Sequence, residues 1–301
     1  MITATLLVSG VLYVFSPITT EAGKDGEKVE IIPNEMSTKV PEGPYVLINL
    51  NTNQLFLRNG TNTLGKITLV SQGKPSSYYE TIGGSFKSDY KEPIHFSSIG
   101  HVYMPYSIHI FGNYFIHGIP YYPDGTKVSS AYSGGCIRLE DIDAKRVYNF
   151  LTKGTPIIIT RGNEYDFNPT RASTKIISSL HMTELMVASI SLEFLTQDNE
   201  ILDASGDPTT RRLLLPFLLK SKDSNIGMLY AHSMGDDEYI SNMNKKALSL
   251  GLTNTTFTGI NTPAITTEED YARFMGYIIT YKSYLQNILE STTTITATSS
   301  L

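Results

Sequence analysis

The chain of 301 residues holds a single cysteine, Cys136, so no internal disulfide can brace it, and that sulfur is left to a reactive thiol or an intermolecular partner. It has no CxxC, no HExxH and no paired Cys/His spacing. Its six histidines therefore form no metal motif, and neither a metal nor a cofactor is expected. A basic surplus is missing too: 24 Lys and Arg against 29 Asp and Glu leave a net charge of −5, with the basic residues scattered, which excludes an electrostatic nucleic-acid footprint. No hydrophobic run is long enough for a comfortable membrane span. The nearest, Ile2 to Phe15, is uncharged and stops before Pro17, a length that suits a signal-peptide core or a marginal anchor, although no basic flank precedes it. What remains, 41% hydrophobic and 18% charged, describes a folded protein long enough for two domains.

The lone thiol sits in Ser133-Gly134-Gly135-Cys136-Ile137-Arg138. A thiolate nucleophile needs a base within reach and backbone N–H groups aimed at the oxyanion it creates. Glycine takes positive φ without side-chain cost, so the amides of Gly134, Gly135 and Cys136 can converge on one acceptor. The candidate base is His117, at the end of the apolar run Tyr114-Phe115-Ile116. On composition alone a plainer reading stands beside this one, with Cys136 as a small buried hydrophobe and His117 as a satisfied core histidine. The glycines, the histidine and Arg138 together favour chemistry.

The texture of the chain divides it into five parts. Residues 1–19 read as a signal peptide or membrane anchor, and residues 20–43 as a linker, with Pro33, Pro41 and Pro44 opposing regular structure. Residues 44–161 alternate as short strands: 45–50 and 54–58 around a turn at Asn51-Thr52-Asn53, then 66–71, 102–103, 107–110 and 114–116. One amphipathic helix over 139–151 follows the nucleophile, and a closing strand covers 155–160. This predicts a mostly antiparallel β domain. From 162 to 290 the period lengthens to that of helices, one from Ile176 to Leu192, one over 211–220, two more over 226–233 and 239–250, and a last one from Thr267 to Ile288 capped by Thr266. Residues 291–301 read as a disordered tail. The fold class is α+β, with a mainly helical C-terminal domain.

Gly73-Lys74-Pro75, Gly83-Gly84-Ser85-Phe86, Val102-Tyr103-Met104-Pro105-Tyr106, His117-Gly118 and the stretch from Ser133 to Leu139 occur in that order. Together they resemble the L,D-transpeptidase (YkuD-type) catalytic domain over about residues 45 to 160. The resemblance implies a cysteine acyl-enzyme that forms peptidoglycan cross-links. Cys136 would attack the carbonyl before the terminal D-alanine of a stem peptide, with His117 moving the proton and a backbone carbonyl near Gly118 orienting its ring. Arg138 would face a substrate carboxylate or else brace the turn by pairing with Glu140 or Asp143. Ser133 is expected to stabilise the turn, and Tyr103 and Tyr106 either line the donor groove or lie in the core. The expected partners are peptidoglycan stem peptides and carbapenem-type inhibitors. The expected location is extracytoplasmic, in the cell envelope, with membrane contact through the N-terminal segment. One departure stands out: the position of Gly134 is often histidine in that family.

The helical half resembles D-alanyl-D-alanine carboxypeptidases of the penicillin-binding class through Leu213 to Ser221, Met243-Asn244-Lys245-Lys246-Ala247 and Leu250 to Phe257. Its serine-to-lysine box would fall at His181-Met182-Thr183-Glu184, or alternatively at Ala172 to Lys175, and neither supplies a nucleophile. The second box reads Ser221-Lys222-Asp223. Two rivals to the transpeptidase follow from these departures and from the chemistry, an inactive wall-binding scaffold and an L,D-carboxypeptidase.

Overall fold

The computed structural model describes residues 4–8, 11–15, 40–162, 174–194, 200–202, 208–221 and 224–291. The apolar opening run forms a hairpin, Ala4–Val8 (β1) paired antiparallel with Val11–Phe15 (β2). No helix among the described residues is long and apolar enough to cross a membrane. Most of the expected linker, Ala172 and the Lys222-Asp223 part of the second box, and all but the first residue of the expected tail lie outside the described residues.

Strands Pro44–Asn49 (β3), Gln54–Asn59 (β4) and Asn62–Thr68 (β5) make a meander in which Leu55 and Leu57 of β4 point inward, as the two-residue period requires. The Asn49 side chain closes the first turn by accepting from the amides of Asn51 and Thr52, each at 3.0 Å. The chain then runs through Gly84–Lys87 (β6), Lys91–Ser97 (β7), Val102–Phe111 (β8), Tyr114–His117 (β9) and Ile137–Arg138 (β10). The helix Asp141–Phe150 (α1) and Pro156–Thr160 (β11) complete this half. Two sheets result, ordered β5-β4-β3-β11-β6 and β10-β9-β8-β7. Most pairings are antiparallel; β11 runs parallel to β3, and β10 parallel to β9. Strands β6 and β7 give little sequence signal, because β6 is four residues long and β7 lies at a sheet edge with no fully buried residue.

The second half contains Ile176–Ser179 (β12), Leu180–Phe194 (α2), Glu200–Leu202 (β13), Pro208–Thr210 (β14) and Arg211–Pro216 (α3). A π-helical turn over Phe217–Ser221, Ser224–His232 (α4), Asp236–Ser249 (α5), Ala264–Thr267 (β15), Glu268–Tyr281 (α6) and Ser283–Glu290 (α7) follow. Three expectations change here. Ile176 and Ile177 open a strand paired with β15 and not a helix, in keeping with their β-branched side chains. The α3 helix gives way to the π turn just after Pro216, which has no N–H to continue the ladder. The last helix divides at Lys282, and its cap is Thr267, whose hydroxyl accepts from the Asp270 amide at 3.2 Å; Thr266 belongs to β15.

The two halves share one apolar core running from Val46 to Leu285. Helix α2 is buried on every side from Met182 to Glu193, as a helix apolar around its circumference must be. At its end Glu193 has no exposed surface, and one carboxylate oxygen accepts from the Tyr277 hydroxyl at 2.9 Å and forms ion pairs with Lys246 at 3.0 Å and Lys282 at 2.9 Å. The Lys246 ammonium also lies over the rings of Phe86 and Phe111 in the β half, at 5.2 and 5.6 Å. Burial pulls Lys246 down to about 8 despite the attraction of Glu193. On Glu193 burial acts upward, but the two ammonium groups win and hold it below its ordinary value. A second buried pair, Arg161 with Glu80 at 2.7 Å, lies near α6 and α7: the Arg161 amide donates to the Tyr281 hydroxyl, and Ser283 donates to Glu80.

Candidate active site

Strand β9 is buried along its whole length and ends at His117, which is 2% exposed. The ring Nδ1 lies 2.6 Å from the Gly118 carbonyl oxygen. A carbonyl only accepts, so Nδ1 carries the proton and Nε2 keeps its lone pair, the tautomer a general base requires. Alongside, the parallel register pairs Ile137 with Ile116 and Arg138 with His117. That register sets Cys136, the residue just before β10, level with Phe115, two residues back from His117 and on the same face of the sheet.

The turn that carries Cys136 is fastened by hydroxyl groups. Ser133 Oγ accepts from the Gly135 amide at 3.0 Å and donates to the Cys136 carbonyl at 2.5 Å. Thr81 Oγ1 donates to the Gly135 carbonyl at 2.8 Å and accepts from the Gly73 amide, also at 2.8 Å. Gly135 sits at φ 116°, and a Cβ there would come within 2.4 Å of the Tyr114 ring. Gly134 has neither constraint: its φ is negative and open space surrounds it. Of the two glycines able to take positive φ, only Gly135 does so. The Gly135 amide is removed from the expected oxyanion donors, because Ser133 engages it. The Gly134 and Cys136 amides remain.

Cys136 is half-buried, and its thiol donates to the Asn113 carbonyl at 3.6 Å and not to the His117 ring. Burial pushes the thiol up to about 11, against a smaller downward pull from the Phe115 amide and Arg138. Burial likewise draws His117 down to about 4, against the Gly118 bond and with Arg138 and His95 adding to the effect. Across the intervening pH range the resting pair is a neutral thiol and a neutral imidazole.

Both groups line a cavity of about 340 Å³, a size suited to a small ligand, with Ser133, Gly134 and Arg138 also in its walls. The Arg138 guanidinium donates to the Ser130 carbonyl at 3.2 Å and to its hydroxyl at 2.9 Å, and its buried Nε has no hydrogen-bond partner. Neither Glu140 nor Asp143 pairs with it, so the bracing ion pair is not formed. Tyr103 and Tyr106 lie outside the cavity wall. Tyr103 stacks on Tyr121 at 5.5 Å, on the face of β8 opposite Met104, which does line the cavity. Tyr106, at φ 52°, turns edge-on to Tyr148 at 6.0 Å. The aromatic walls are instead Tyr78, Tyr79 and Tyr114. Sequence reasoning missed these, together with Thr81, Asn113 and Leu192. Thr81 lies between two quoted glycine motifs, a usable signal, whereas Leu192 arrives from a distant helix with none. Among the described residues no group of three His, Cys, Asp or Glu side chains can hold a metal ion.

Residues 43–159 match the L,D-transpeptidase catalytic domain, YkuD. Cys136, His117 and the whole turn from Ser133 to Arg138 lie within that segment. No curated protein matches the chain. Among solved structures, a fused Zn-dependent amidase/peptidase/peptidoglycan-binding domain-containing protein from Clostridium acetobutylicum shares 25% identity at a TM-score of 0.35, over 41% of this chain and 55% of that one. An L,D-transpeptidase from Stackebrandtia nassauensis shares 23% at a TM-score of 0.35, over 42% of this chain and 61% of that one. An L,D-transpeptidase solved in complex with imipenem shares 21% at a TM-score of 0.33, over 40% and 59%. The chain spans little more than half the length of these proteins. The match to the L,D-transpeptidase domain ends before the helical half, which therefore carries no family assignment.

Two measurements check this geometry. Gly134→Ala should leave the thermal midpoint within about 2 °C of the parent, whereas Gly135→Ala should lower it by several degrees, by the strain of a Cβ at positive φ against Tyr114; equal effects would contradict the assignment. For His117 the folded value of about 4 lies below the ordinary 6.5, so the unfolded chain takes up the proton first. Stability contributed by the neutral ring is then complete above pH 6.5 and falls by about 3 kcal/mol as the pH drops to 4. Urea midpoints at pH 7 and pH 4 should show a smaller acid loss for His117→Gln than for the parent; equal losses would contradict the buried neutral imidazole.

Proposed function

We propose that this chain is a cysteine L,D-transpeptidase that cross-links peptidoglycan stem peptides through an acyl-enzyme on Cys136. The observation that carries the reading is the lone thiol and a tautomer-fixed His117 lining one cavity, both residues being within the segment that matches the L,D-transpeptidase domain. A donor carbonyl entering the cavity draws Sγ away from Asn113, and His117 Nε2 takes the thiol proton as the carbon–sulfur bond forms. The Gly134 and Cys136 amides receive the oxyanion. The carbon–nitrogen bond to the terminal D-alanine then breaks, and the imidazolium returns its proton to the leaving amine. Arg138, with no carboxylate partner of its own, faces the carboxylate of that D-alanine. An acceptor amine next attacks the thioester, losing its proton to His117, and the restored thiol takes it up. Water in place of the amine gives the L,D-carboxypeptidase outcome.

The neutral resting pair fits this order of events, since the proton leaves sulfur only when a carbonyl is present to accept the electron pair. Gly134 means the turn works without a second imidazole. The same facts favour one alternative, an inactive wall-binding scaffold, because a thiol pushed up to about 11 is a poor nucleophile until something activates it. Action outside the cytoplasm is supported by the uncharged apolar opening run and by the class of substrate. Where the serine and the lysine of the carboxypeptidase box would stand, the helical half has His181 and Glu184, with Nδ1 and a carboxylate oxygen 3.5 Å apart, and so presents no serine nucleophile at that place.

Imipenem tests the reading. Opening of its four-membered ring by the thiol adds the whole drug to the protein, so intact-mass analysis should show one adduct on the parent chain, none on Cys136→Ala, and formation slowed about 100-fold or more on His117→Ala. No adduct on any of the three would favour the scaffold.

A further inference from the structure

We propose that the helical half completes the active site: the C-terminal end of α2 fixes Asn113, which holds the Cys136 thiol, and Leu192 forms the wall against which the aliphatic part of a stem peptide packs. The last carbonyls of a helix have no partner within it. Those of Glu193 and Phe194 are satisfied from the β half, by the Asn113 amide at 2.9 Å and the Asn113 side-chain Nδ2 at 2.7 Å. The approach is close, since Gly112 sits at φ 56° and a Cβ there would lie 2.3 Å from the Glu193 carbonyl oxygen. Phe111 and Phe194 add an edge-to-face contact at 4.9 Å. Held at two points, Asn113 keeps its carbonyl fixed, and that carbonyl accepts the thiol hydrogen. The Glu193 side chain, clamped by Lys246, Lys282 and Tyr277, stops the helix end from sliding. One residue earlier Leu192, 7% exposed, enters the cavity wall beside Cys136 and Tyr114. Asn113 is a positioning residue and Leu192 a specificity-determining one. The Leu192 role rests on the proposed stem-peptide substrate, the Asn113 role does not.

Alkylation of Cys136 by iodoacetamide in the full chain, followed by mass spectrometry across pH, separates the parts. The thiolate reacts, and a carbonyl accepting the S–H bond favours the neutral thiol. Asn113→Ala removes the Nδ2 anchor but not the carbonyl, and should shift the alkylation profile to lower pH, making the reaction about 3- to 10-fold faster at pH 8. His117 and Arg138, the titratable groups beside the sulfur, are unchanged in this variant. A profile identical to the parent overturns the positioning role. A tetrapeptide stem ending in D-alanine should protect the parent thiol, and Leu192→Ala should need about tenfold more stem for equal protection. Leu192→Phe, which narrows the cavity without leaving a void, should also weaken protection and serves if the alanine variant fails to fold. Unchanged protection in the folded variants overturns the wall role. No protection of the parent overturns it too, together with the substrate reading, while protection without any cross-linked or hydrolysed product overturns the transpeptidase reading alone.

Discussion

A parallel pairing two residues long sets the geometry of this protein. Strand β10 lies beside β9 with Ile137 against Ile116 and Arg138 against His117, and through it the thiol and the imidazole reach the same cavity from positions far apart in sequence. A pairing that short cannot hold itself. It is held by the buried side chains of Ile116 and Ile137 in the shared core, by the Ser133 and Thr81 hydroxyls that fasten the preceding turn, and by α1, which follows at once and buries Ala144 and Val147.

Burial then decides the electrostatics. Both members of the pair are disfavoured in their charged forms, so the site rests with the proton on sulfur and an unprotonated lone pair on Nε2. Arg138 lowers both values, yet desolvation dominates each of them, which is why the thiol stands above its ordinary range with a guanidinium nearby. At rest the thiol hydrogen is held by the Asn113 carbonyl.

Much of this was legible in the sequence, and the residues show why. The cysteine among glycines, the histidine closing an apolar strand and the meander over β3 and β4 are local patterns, written in neighbouring residues. What sequence reasoning misjudged depends on distant contacts. Gly134 and Gly135 look alike until the Tyr114 ring is seen to crowd only one of them. Tyr103 and Tyr106 sit in the right motif, but alternation along β8 turns Tyr103 to the face opposite Met104, and the positive φ of Tyr106 breaks that alternation and turns its ring to Tyr148. Thr266 and Thr267 look equally fit as caps and both belong to β15, but the helix starts only at Glu268, which leaves the role to the second. The part played by Leu192 depends on how α2 docks, which no spacing in the chain announces. No spacing in the chain announces the buried cluster of Glu193, Lys246 and Lys282, all in the helical half, from which the Lys246 ammonium reaches the rings of Phe86 and Phe111 in the β half.

The central claim is that Cys136 carries an acyl group taken from a stem peptide. Its most direct test is to incubate the chain with a tetrapeptide-stem donor alone, quench in acid, digest, and weigh the peptide that contains Cys136. A gain equal to the donor less one D-alanine, absent from Cys136→Ala, is the predicted result; an unmodified Cys136 peptide with no D-alanine released would contradict the account.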